Sequence, residues 1–579
     1  MGGKKELVLF EDVLSDWGLG ESDKKYLLLI FLFSLVLVIY MVYFNNKLGI
    51  YCSDVFIFLL NTLNFSGNMI GSASTMYVSP FIPLVTSILF AMGLEHEVIL
   101  FLITGIFAMF GATGVYALLR IKMDELISFL GTILFISFSL NILWLANGTM
   151  DLPALCLMIW TIFSIYQAVN KHPEFYIMAM IFFVFGFFTR YTTILILPPI
   201  ILYLLIKYDF LKHLDEIIHQ PVLIKNKINN TINSKTFTYI KRALFIGIII
   251  AAIFIVLILL SGSNLLFINQ SAKAVVGTRG SITDNAYTTD TLFYITHLPS
   301  FLSATKTTIT QNIPLLSQAS IISYIILTII SLGIITASYN TIKRKYTQIK
   351  FKTKHFQPFL ILVTILSLIS FIYTLGKLSS VLSILLLSIT LLGLSKLLSG
   401  YRIKDLNFHL LLISWLTSYL LFFTFINIKV DRYIITILPV IAYTTAYALK
   451  ILYEKIKNKK ITKTITIILI LLFTISAINY TATIPLQDDI NAPRDISDWL
   501  KEYDPHYMDK NIGVYNIRPY RWYLKIRAIG ITNNTQNLLE KENITYYISQ
   551  ENKTPPGYQI IHTQNHIYIY QKKTPTMEN

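Results

Sequence analysis

The chain has 579 residues, of which 54% are hydrophobic and 14% are charged, and its mean hydropathy is +0.60. Soluble domains carry about 25% charged residues, and a globule this apolar would present large hydrophobic surfaces to water, so the composition excludes an ordinary soluble protein. The net charge of +16 does not indicate nucleic-acid binding, because most Lys and Arg residues lie in short loops between apolar runs. The two cysteines, Cys52 and Cys156, are too few to predict a disulfide framework.

The apolar runs are continuous and do not alternate with polar residues, which favours membrane-spanning helices over the strands of a barrel. The polar segment 1–24 has no apolar core or cleavage site typical of a secretory signal, so the first apolar run is predicted to be a retained span. A spanning helix needs about 20 apolar residues. By this measure we predict about thirteen spans, near 25–44, 98–119, 125–146, 152–169, 174–189, 191–207, 243–262, 319–339, 357–375, 378–398, 406–427, 432–452 and 462–482.

The distribution of positive charge predicts the orientation of these spans. With segment 1–24 in the cytoplasm, the basic clusters at 343–354 and 455–460 fall in inside loops, as the positive-inside rule requires. The loops 45–97 and 263–318 and the C-terminal segment 483–579 are then extracellular. Within the first loop, Val55–Leu63 and Pro83–Met92 are apolar but too short to span, and we expect them to lie in the membrane interface.

Segment 483–579 is more polar and is predicted to form a small external α+β domain. Strands are expected at Ile512–Asn516 and Ile544–Ser549, a helical turn at Pro519–Arg527, and a hairpin whose strands flank Gln564-Asn565. Sequons beginning at Asn533, Asn543 and Asn552 fit an external location, although a chain this rich in Asn and Thr contains such sequences by chance. The histidines in this segment, His506, His562 and His566, are too scattered to predict a metal site, and a lid or acceptor-binding role is favoured over chemistry.

Two carboxylates have positions that suggest chemistry, since ionisable residues near an apolar phase are costly and tend to be functional. Asp54 follows the first span, and Asp151 begins the fourth. Asp151 has the alternative role of a helix N-cap, and Asp54 that of a solvated interfacial residue. The basic residues predicted on the same side are Arg190, Arg279, Lys377, Lys429 and Arg432. Arg432, beside Asp431 and Tyr433, is either an interfacial anchor or a bidentate ligand for a phosphate.

The order of these motifs resembles the GT-C fold of lipid-linked-sugar glycosyltransferases, and most of all the glycosyltransferase family 39 and aminoarabinose-transferase-like enzymes of the dolichyl-phosphate-mannose protein mannosyltransferase superfamily. The resemblance covers nearly the whole chain. It rests on Ser53-Asp54 after the first span, the proline-containing stretch 79–84, the turn Asn147–Asp151, the segment Gly186–Tyr191 before Pro198, and Asp431-Arg432-Tyr433 before Pro439.

The resemblance implies a polytopic, largely all-α membrane enzyme whose catalytic domain spans 25–482. Such an enzyme would transfer a sugar, mannose or another hexose or pentose, from a polyprenyl- or dolichyl-phosphate donor to a hydroxyl of a protein, lipid or glycan, with inversion at the anomeric carbon. Asp54 would act as the base and Asp151 would support it or the acceptor. The donor phosphate would be bound by Arg432, Arg190, Lys429 and Tyr433. The sequence gives no indication of a divalent metal or other cofactor, and none of a nucleic-acid partner.

Two alternatives from other classes stay open at this point. A lipid or solute transporter or flippase would also have many spans, although no inverted repeat is recognisable here. The single acidic residue in the first loop leaves open a catalytically inactive accessory subunit. Release of lipid phosphate by the purified protein would distinguish an enzyme from both.

Overall fold

The computed structural model describes residues 17, 19–68, 70, 79–219, 234–260, 290–310, 313–343, 356–426, 429–456, 458–486, 488–531 and 535–573. Three parts of the sequence prediction lie outside these residues. They are most of segment 1–24, the first half of loop 263–318 with Arg279, and Asn533. Among the described residues, ten helices are long and apolar enough to cross a membrane, and the count is eleven if one bent pair is a single span. The molecule is therefore a polytopic helical membrane protein, as predicted.

In the described residues of the first half of the chain, the regular elements are all helices. Its helices are α1 (Glu21–Leu48), α2 (Ser53–Phe65), α3 (Phe81–Ala91), α4 (Glu97–Arg120), α5 (Glu125–Ser137), α6 (Ser139–Leu143), α7 (Asp151–Asn170), α8 (Phe175–Thr189), α9 (Leu197–Lys207), α10 (Phe210–His219) and α11 (Lys235–Leu260). A 3-10 segment, Tyr191–Ile196, joins α8 to α9. In α7, 89% of the most apolar window is buried, against 28% in α1 and 22% in α11. Helix α7 thus lies at the centre of the bundle, and α1 and α11 present their apolar side chains outward, as lipid-facing helices do.

The second half adds a hairpin and six more long helical segments. They are α12 (Phe293–Thr296), α13 (Leu298–Leu302), β1 (Ala304–Thr310), β2 (Ile313–Ala319), α14 (Ile321–Ile342), α15 (Phe356–Thr374), α16 (Ser380–Ser399), α17 (Leu406–Phe425), α18 (Leu438–Tyr453) and α19 (Lys459–Thr481). A 3-10 segment, Asp431–Ile437, leads into α18. The antiparallel pair β1–β2 was not predicted from the sequence, which places these residues in an external loop.

All thirteen predicted spans contain helix, but two are interrupted early. Helix α5 has 13 residues because Phe138, with ψ 128°, leaves the helical conformation, and α8 has 15 because Arg190 takes an extended conformation. Since a straight crossing needs about 20 residues, the number of full-length spans is lower than thirteen. A third difference from the prediction concerns the span 191–207. In the structure, Tyr191–Lys207 is followed by Phe210–His219, and the axes of this bent pair differ by 56°. The two short apolar pieces of the first loop form the helices α2 and α3.

The C-terminal residues form a small α+β unit. Its elements are α20 (Asp488–Tyr503), a 3-10 turn (Tyr507–Asp509), β3 (Ile512–Val514), α21 (Ile517–Leu524), β4 (Ile529–Gly530), α22 (Thr535–Lys541), β5 (Tyr546–Ser549), β6 (Tyr558–Gln564) and β7 (Ile567–Lys572). The five strands lie in the order β4-β3-β5-β7-β6, with β3 parallel to β4 and β5. The predicted hairpin is present as β6–β7, and its turn residues Asn565 and His566 both have positive φ, the geometry of a tight hairpin turn.

The C-terminal unit rests directly on the helix bundle. The Asn491 amide donates to the Lys47 carbonyl at 2.6 Å, the indole of Trp522 donates to Glu97 at 3.4 Å, and the Arg494 guanidinium lies 3.6 Å from the same carboxylate. Helix α21 packs against α2, where the Tyr523 ring meets Phe56 edge to face. The unit therefore covers the end of the bundle at which α1 ends and α4 begins.

Candidate functional site

A cavity of about 320 Å³ opens at that same end of the bundle. Charged and polar side chains line one part of it, and apolar and aromatic side chains line the rest. The lining residues are Asp54, Phe58, Ser79, Met150, Asp151, Thr189, Arg190, Tyr191, Thr192, Phe422, Phe423, Ile426, Arg432 and Tyr433. A cavity that combines an ionic cluster with apolar walls suits a ligand with a charged head and a hydrocarbon tail.

The loop between α6 and α7 is fixed by buried hydrogen bonds. The Asn45 amide donates to the carbonyls of Leu145 and Ala146, both at 2.9 Å, and Asn147 donates to the Tyr51 hydroxyl at 2.8 Å. Gly148 has φ +83° and an added Cβ would lie 2.8 Å from a Val55 methyl group. Only glycine fits this turn without displacing a neighbour. Gly148 and the hydrogen bonds of Asn45 and Asn147 therefore fix the loop from which α7 starts.

Asp151 is the first residue of α7 and its side chain is 2% exposed. The residue that caps the helix is Met150, and Asp151 makes no capping hydrogen bond. Its carboxylate instead forms an ion pair with Arg190, whose extended backbone ends α8. The alternative of a simple N-cap is therefore not realised in the structure.

Asp54 lies in the first turn of α2, at the rim of the cavity, and its side chain is 39% exposed. Its Oδ2 accepts a hydrogen bond from Arg432 Nη2 at 2.6 Å. The other terminal nitrogen of Arg432 lies 3.7 Å from Asp151 Oδ2. A single guanidinium thus stands between the two carboxylates that the sequence singled out.

Arg432 is itself held in place by its neighbours. Asp431, 3% exposed, accepts from the Arg432 backbone N–H at 2.7 Å and from the Trp144 indole at 3.2 Å. The guanidinium also lies over the Trp144 ring, 5.5 Å from its centroid. With a side chain only 14% exposed, Arg432 is not an anchor that reaches out to the membrane surface.

The second guanidinium, Arg190, lies 5.0 Å from the centroid of the Tyr433 ring, and that ring stacks on Phe423. Five of the six predicted site residues therefore meet in this cavity. The sixth, Lys429, does not line it: its ammonium donates to the Ile426 carbonyl at 2.7 Å. Lys377, also considered on the sequence, lies over the Tyr373 ring instead.

The electrostatics of the cluster are set by these two arginines and one more. Burial acts to raise the pKa of Asp54, but the positive charges of Arg432, Arg518 and Arg190 lower it, and the net pKa lies below the usual 3.8. Asp54 is therefore a carboxylate at neutral pH. Among the described residues, Asp151 Oδ2 and Arg432 Nε are buried polar atoms with no hydrogen-bond partner. Such atoms are costly to leave unpaired, which suggests that a ligand completes the cluster.

Sequence reasoning did not identify Arg518 of α21, whose Nη1 donates to the Ser53 hydroxyl at 3.3 Å. It also missed Trp144 beneath Arg432. Arg518 is 464 positions from Asp54 in the chain, and only the docking of the C-terminal unit brings them together. The one signal for Trp144 is that it stands three residues before Asn147 in the loop that leads to Asp151.

A comparison with protein families finds one match. The family described as dolichyl-phosphate-mannose-protein mannosyltransferase matches residues 77–224, about a quarter of the chain. That stretch contains Asp151 and Arg190 but not Asp54 or Arg432. No curated protein sequence matches the chain.

The fold is also similar to that of a solved crystal structure. The apo crystal structure of ArnT from Cupriavidus metallidurans superposes with a TM-score of 0.55 at 8% identity, over 95% of this chain and 98% of that one. The structure of the same protein bound to undecaprenyl phosphate gives 0.52 at 8% identity, over 93% and 97%. The chain thus has the GT-C fold. Family match and fold together indicate a membrane glycosyltransferase that uses a lipid-linked sugar.

Proposed function

We propose that the protein transfers a sugar from a polyprenyl-phosphate donor to an acceptor hydroxyl at the outer face of the cell membrane. The observation that carries this proposal is the meeting of Asp54, Asp151, Arg190 and Arg432 in one cavity whose remaining walls are apolar. The guanidiniums suit the phosphate and the aromatic and aliphatic walls suit the first units of a prenyl chain. In ArnT, undecaprenyl phosphate is the bound lipid, which supports this donor class here.

In the proposed reaction the acceptor oxygen attacks the anomeric carbon while the bond from that carbon to the phosphate oxygen breaks. The acceptor proton passes to a carboxylate, which acts as general base, and the polyprenyl phosphate leaves with the electron pair. A single displacement of this kind inverts the anomeric centre. The negative charge that develops on the leaving phosphate is stabilised by pre-positioned cations.

The contacts divide these roles among the four residues. Asp54 is ionised, half-exposed and at the rim, so an acceptor arriving from water reaches it first, and we assign it as the base. Asp151 is buried and paired with Arg190, so we assign it to positioning Arg190 and the sugar. Arg432 retains an unpaired Nε–H and is the main phosphate ligand, with Arg190 and Tyr433 beside it. Lys429 is omitted because its ammonium is already bonded to a backbone carbonyl.

The test is transfer of radiolabelled sugar from polyprenyl- and dolichyl-phosphate donors by the purified full chain in nanodiscs. We expect wild type to consume one donor and Asp54→Asn to leave it intact. Asp498→Asn is the matched control, because that carboxylate is also ion-paired, to Lys501 at 2.7 Å, but lies on the C-terminal unit. If the wild type leaves a broad donor panel intact with acceptors supplied, the transferase proposal is rejected and a transporter or accessory role gains support.

A further inference from the structure

Helix α10 follows the end of a span, and the proposed reaction makes no use of it. It begins at Phe210, and only Tyr208 and Asp209 separate it from the last residue of α9. Its axis differs by 56° from that of Tyr191–Lys207. Asp209 has φ +50°, a left-handed conformation that aspartate adopts more readily than most residues. The chain therefore turns at a defined break, and α10 is an element of its own.

The start of α10 lies at the end of the bundle opposite the cavity that contains Asp54 and Asp151. Tyr191 lines that cavity, and the six residues of the 3-10 segment and the eleven of α9 lead from it to Lys207. At about 2.0 Å and 1.5 Å per residue, these two segments cover about 28 Å. That distance is close to the thickness of the hydrocarbon core of a bilayer. Helix α10 therefore starts where the core of the opposite leaflet ends.

Contacts with neighbouring helices fix this start. The hydroxyl of Tyr208 lies 2.7 Å from the hydroxyl of Tyr176, at the beginning of α8. The Asp209 carboxylate lies 3.6 Å from the ammonium of Lys396, in the last turn of α16. Tyr and Lys side chains are typical of the boundary between acyl chains and headgroups. These contacts place the turn into α10 at that boundary.

The side chains of α10 are segregated by polarity. At about 100° per residue, its apolar side chains fall within one arc about 120° wide, and its polar side chains occupy the rest of the circumference. The apolar residues are Phe210, Leu211, Leu214, Ile217 and Ile218. The polar residues are Lys212, His213, Asp215, Glu216 and His219. The helix is thus amphipathic along its whole length.

The protein does not bury the apolar face of α10. None of its five apolar side chains is buried, and Phe210 and Ile218 are 42% and 50% exposed. A contiguous apolar face in water is unfavourable. Because the helix starts at the edge of the hydrocarbon core and is joined to a span, acyl chains are the apolar partner within reach of this face.

We propose that α10 is an interfacial helix, which inserts its apolar face into the leaflet opposite the cavity and turns its polar face toward water. Helices with this segregation bury the apolar face about 5–10 Å into the boundary between headgroups and acyl chains. The partner of this surface is therefore the lipid bilayer itself. Through α9, the helix holds the far end of the span whose near end follows Arg190 in the cavity.

The experiment is a nitroxide scan of α10 in the full chain in nanodiscs. Single cysteines are introduced in a Cys52→Ser/Cys156→Ala background, whose Tm is compared with that of wild type. Each spin label is tested for collisions with molecular oxygen, which concentrates among acyl chains, and with a neutral Ni(II) chelate, which stays in water. The ratio of the two collision rates reports the depth of the label.

Opposite faces of the helix provide the matched comparison. Labels at Phe210→Cys and Ile218→Cys should collide mainly with oxygen and lie about 5–10 Å below the lipid phosphates. Labels at Lys212→Cys and His219→Cys, which replace exposed polar residues of the same helix, should collide mainly with the chelate. Over the whole scan, the ratio should vary with the helical period of 3.6 residues.

Three results would overturn the proposal. Frequent chelate collisions at Phe210→Cys and Ile218→Cys would place the apolar face in water. Immobile labels that neither reagent reaches at these two positions would mean that the face packs against protein. Oxygen collisions that dominate at Lys212→Cys and His219→Cys as well would mean that α10 re-enters the hydrocarbon core. Because the readout is depth, each result is independent of whether the protein transfers sugars.

Discussion

Replacing the two site carboxylates one at a time should separate chemistry from architecture. Asp54→Asn keeps the shape of the side chain and an oxygen that still accepts from Arg432, but it removes the carboxylate that we propose takes the proton. Asp151→Asn removes the charge that balances Arg190 in a place that is 2% exposed. The two substitutions are chemically identical, so any difference between them reports the environments of the two carboxylates.

The expected magnitudes follow from those environments. Loss of a general base lowers a rate by about 10²–10⁴, equivalent to about 2.7–5.4 kcal/mol of activation free energy. Asp54 is 39% exposed, so breaking its ion pair should lower the free energy of unfolding by about 1 kcal/mol or less. Breaking a buried pair costs about 3–5 kcal/mol. Asp151→Asn should therefore lose stability, while Asp54→Asn should lose almost only turnover.

Both quantities are measured on the same preparations, turnover with the radiolabelled donor in nanodiscs and stability from the Tm in detergent. Asp54→Asn should keep a Tm close to that of wild type and bind donor at least as tightly as wild type, while turnover falls. An Asp54→Asn variant that turns over normally, beside an Asp151→Asn variant that is fully stable but inactive, would reverse the roles assigned to the two residues.

Three further variants test other parts of the arrangement. Arg432→Lys keeps the positive charge but cannot contact both Asp54 and Asp151. We therefore expect kcat to fall about 10²-fold in the transfer assay. An unchanged kcat would exclude a role for Arg432 in bridging the two carboxylates. Glu97→Gln weakens the contacts of Trp522 and Arg494 to the bundle, so limited proteolysis should release the C-terminal unit faster, with a loss of about 1–2 kcal/mol. Burial lowers the pKa of Lys525 from 10.5 to about 8. Between these two pH values the Lys525 ammonium keeps its proton in the unfolded chain and has lost it in the folded protein. Lys525 should therefore contribute stability that grows with pH across that window, and Lys525→Met should remove this contribution from the difference between the Tm profiles of variant and wild type.

The sequence was sufficient to predict which residues share one end of the bundle. Once spans alternate across a membrane, the residues that follow odd-numbered spans fall on one side, so Asp54, Asp151 and Arg432 were expected together. Within two of the predicted spans, 125–146 and 174–189, the observed helices end at Ser137 and Thr189 and are too short for a straight crossing. That difference did not move the site, because the broken segments still return the chain to the same face.

The pairing of side chains within that end could not be predicted. Arg190 meets Asp151 because its extended backbone turns the side chain toward the start of α7, and a periodic pattern carries no information about such a break. Lys429 illustrates the converse, since it is only three residues from Arg432 yet bonds to the Ile426 carbonyl and does not line the cavity. Arg518 reaches Ser53 only through the docking of a separate folded unit, a contact with no local sequence signal.

The ion pair between Asp54 and Arg432 has a consequence for the order of events in the proposed reaction. The positive charge of Arg432 lowers the pKa of the Asp54 carboxyl, which makes it a weak base. A donor phosphate that binds Arg432 neutralises that charge, so the pKa of Asp54 should rise and its basicity should improve when the donor is in place. Proton acceptance would then be coupled to occupancy of the phosphate site.

This coupling predicts a difference between two pH profiles. The acid limb of kcat/KM reports the free enzyme, and that of kcat reports the complex with substrate. Activity requires the Asp54 carboxylate, so both limbs fall as the pH decreases through the relevant pKa. The limb of kcat should lie at higher pH than the limb of kcat/KM, because only in the complex is the arginine charge neutralised. Coincident limbs, or a kcat limb at the lower pH, would show that the donor phosphate does not compete with Asp54 for Arg432.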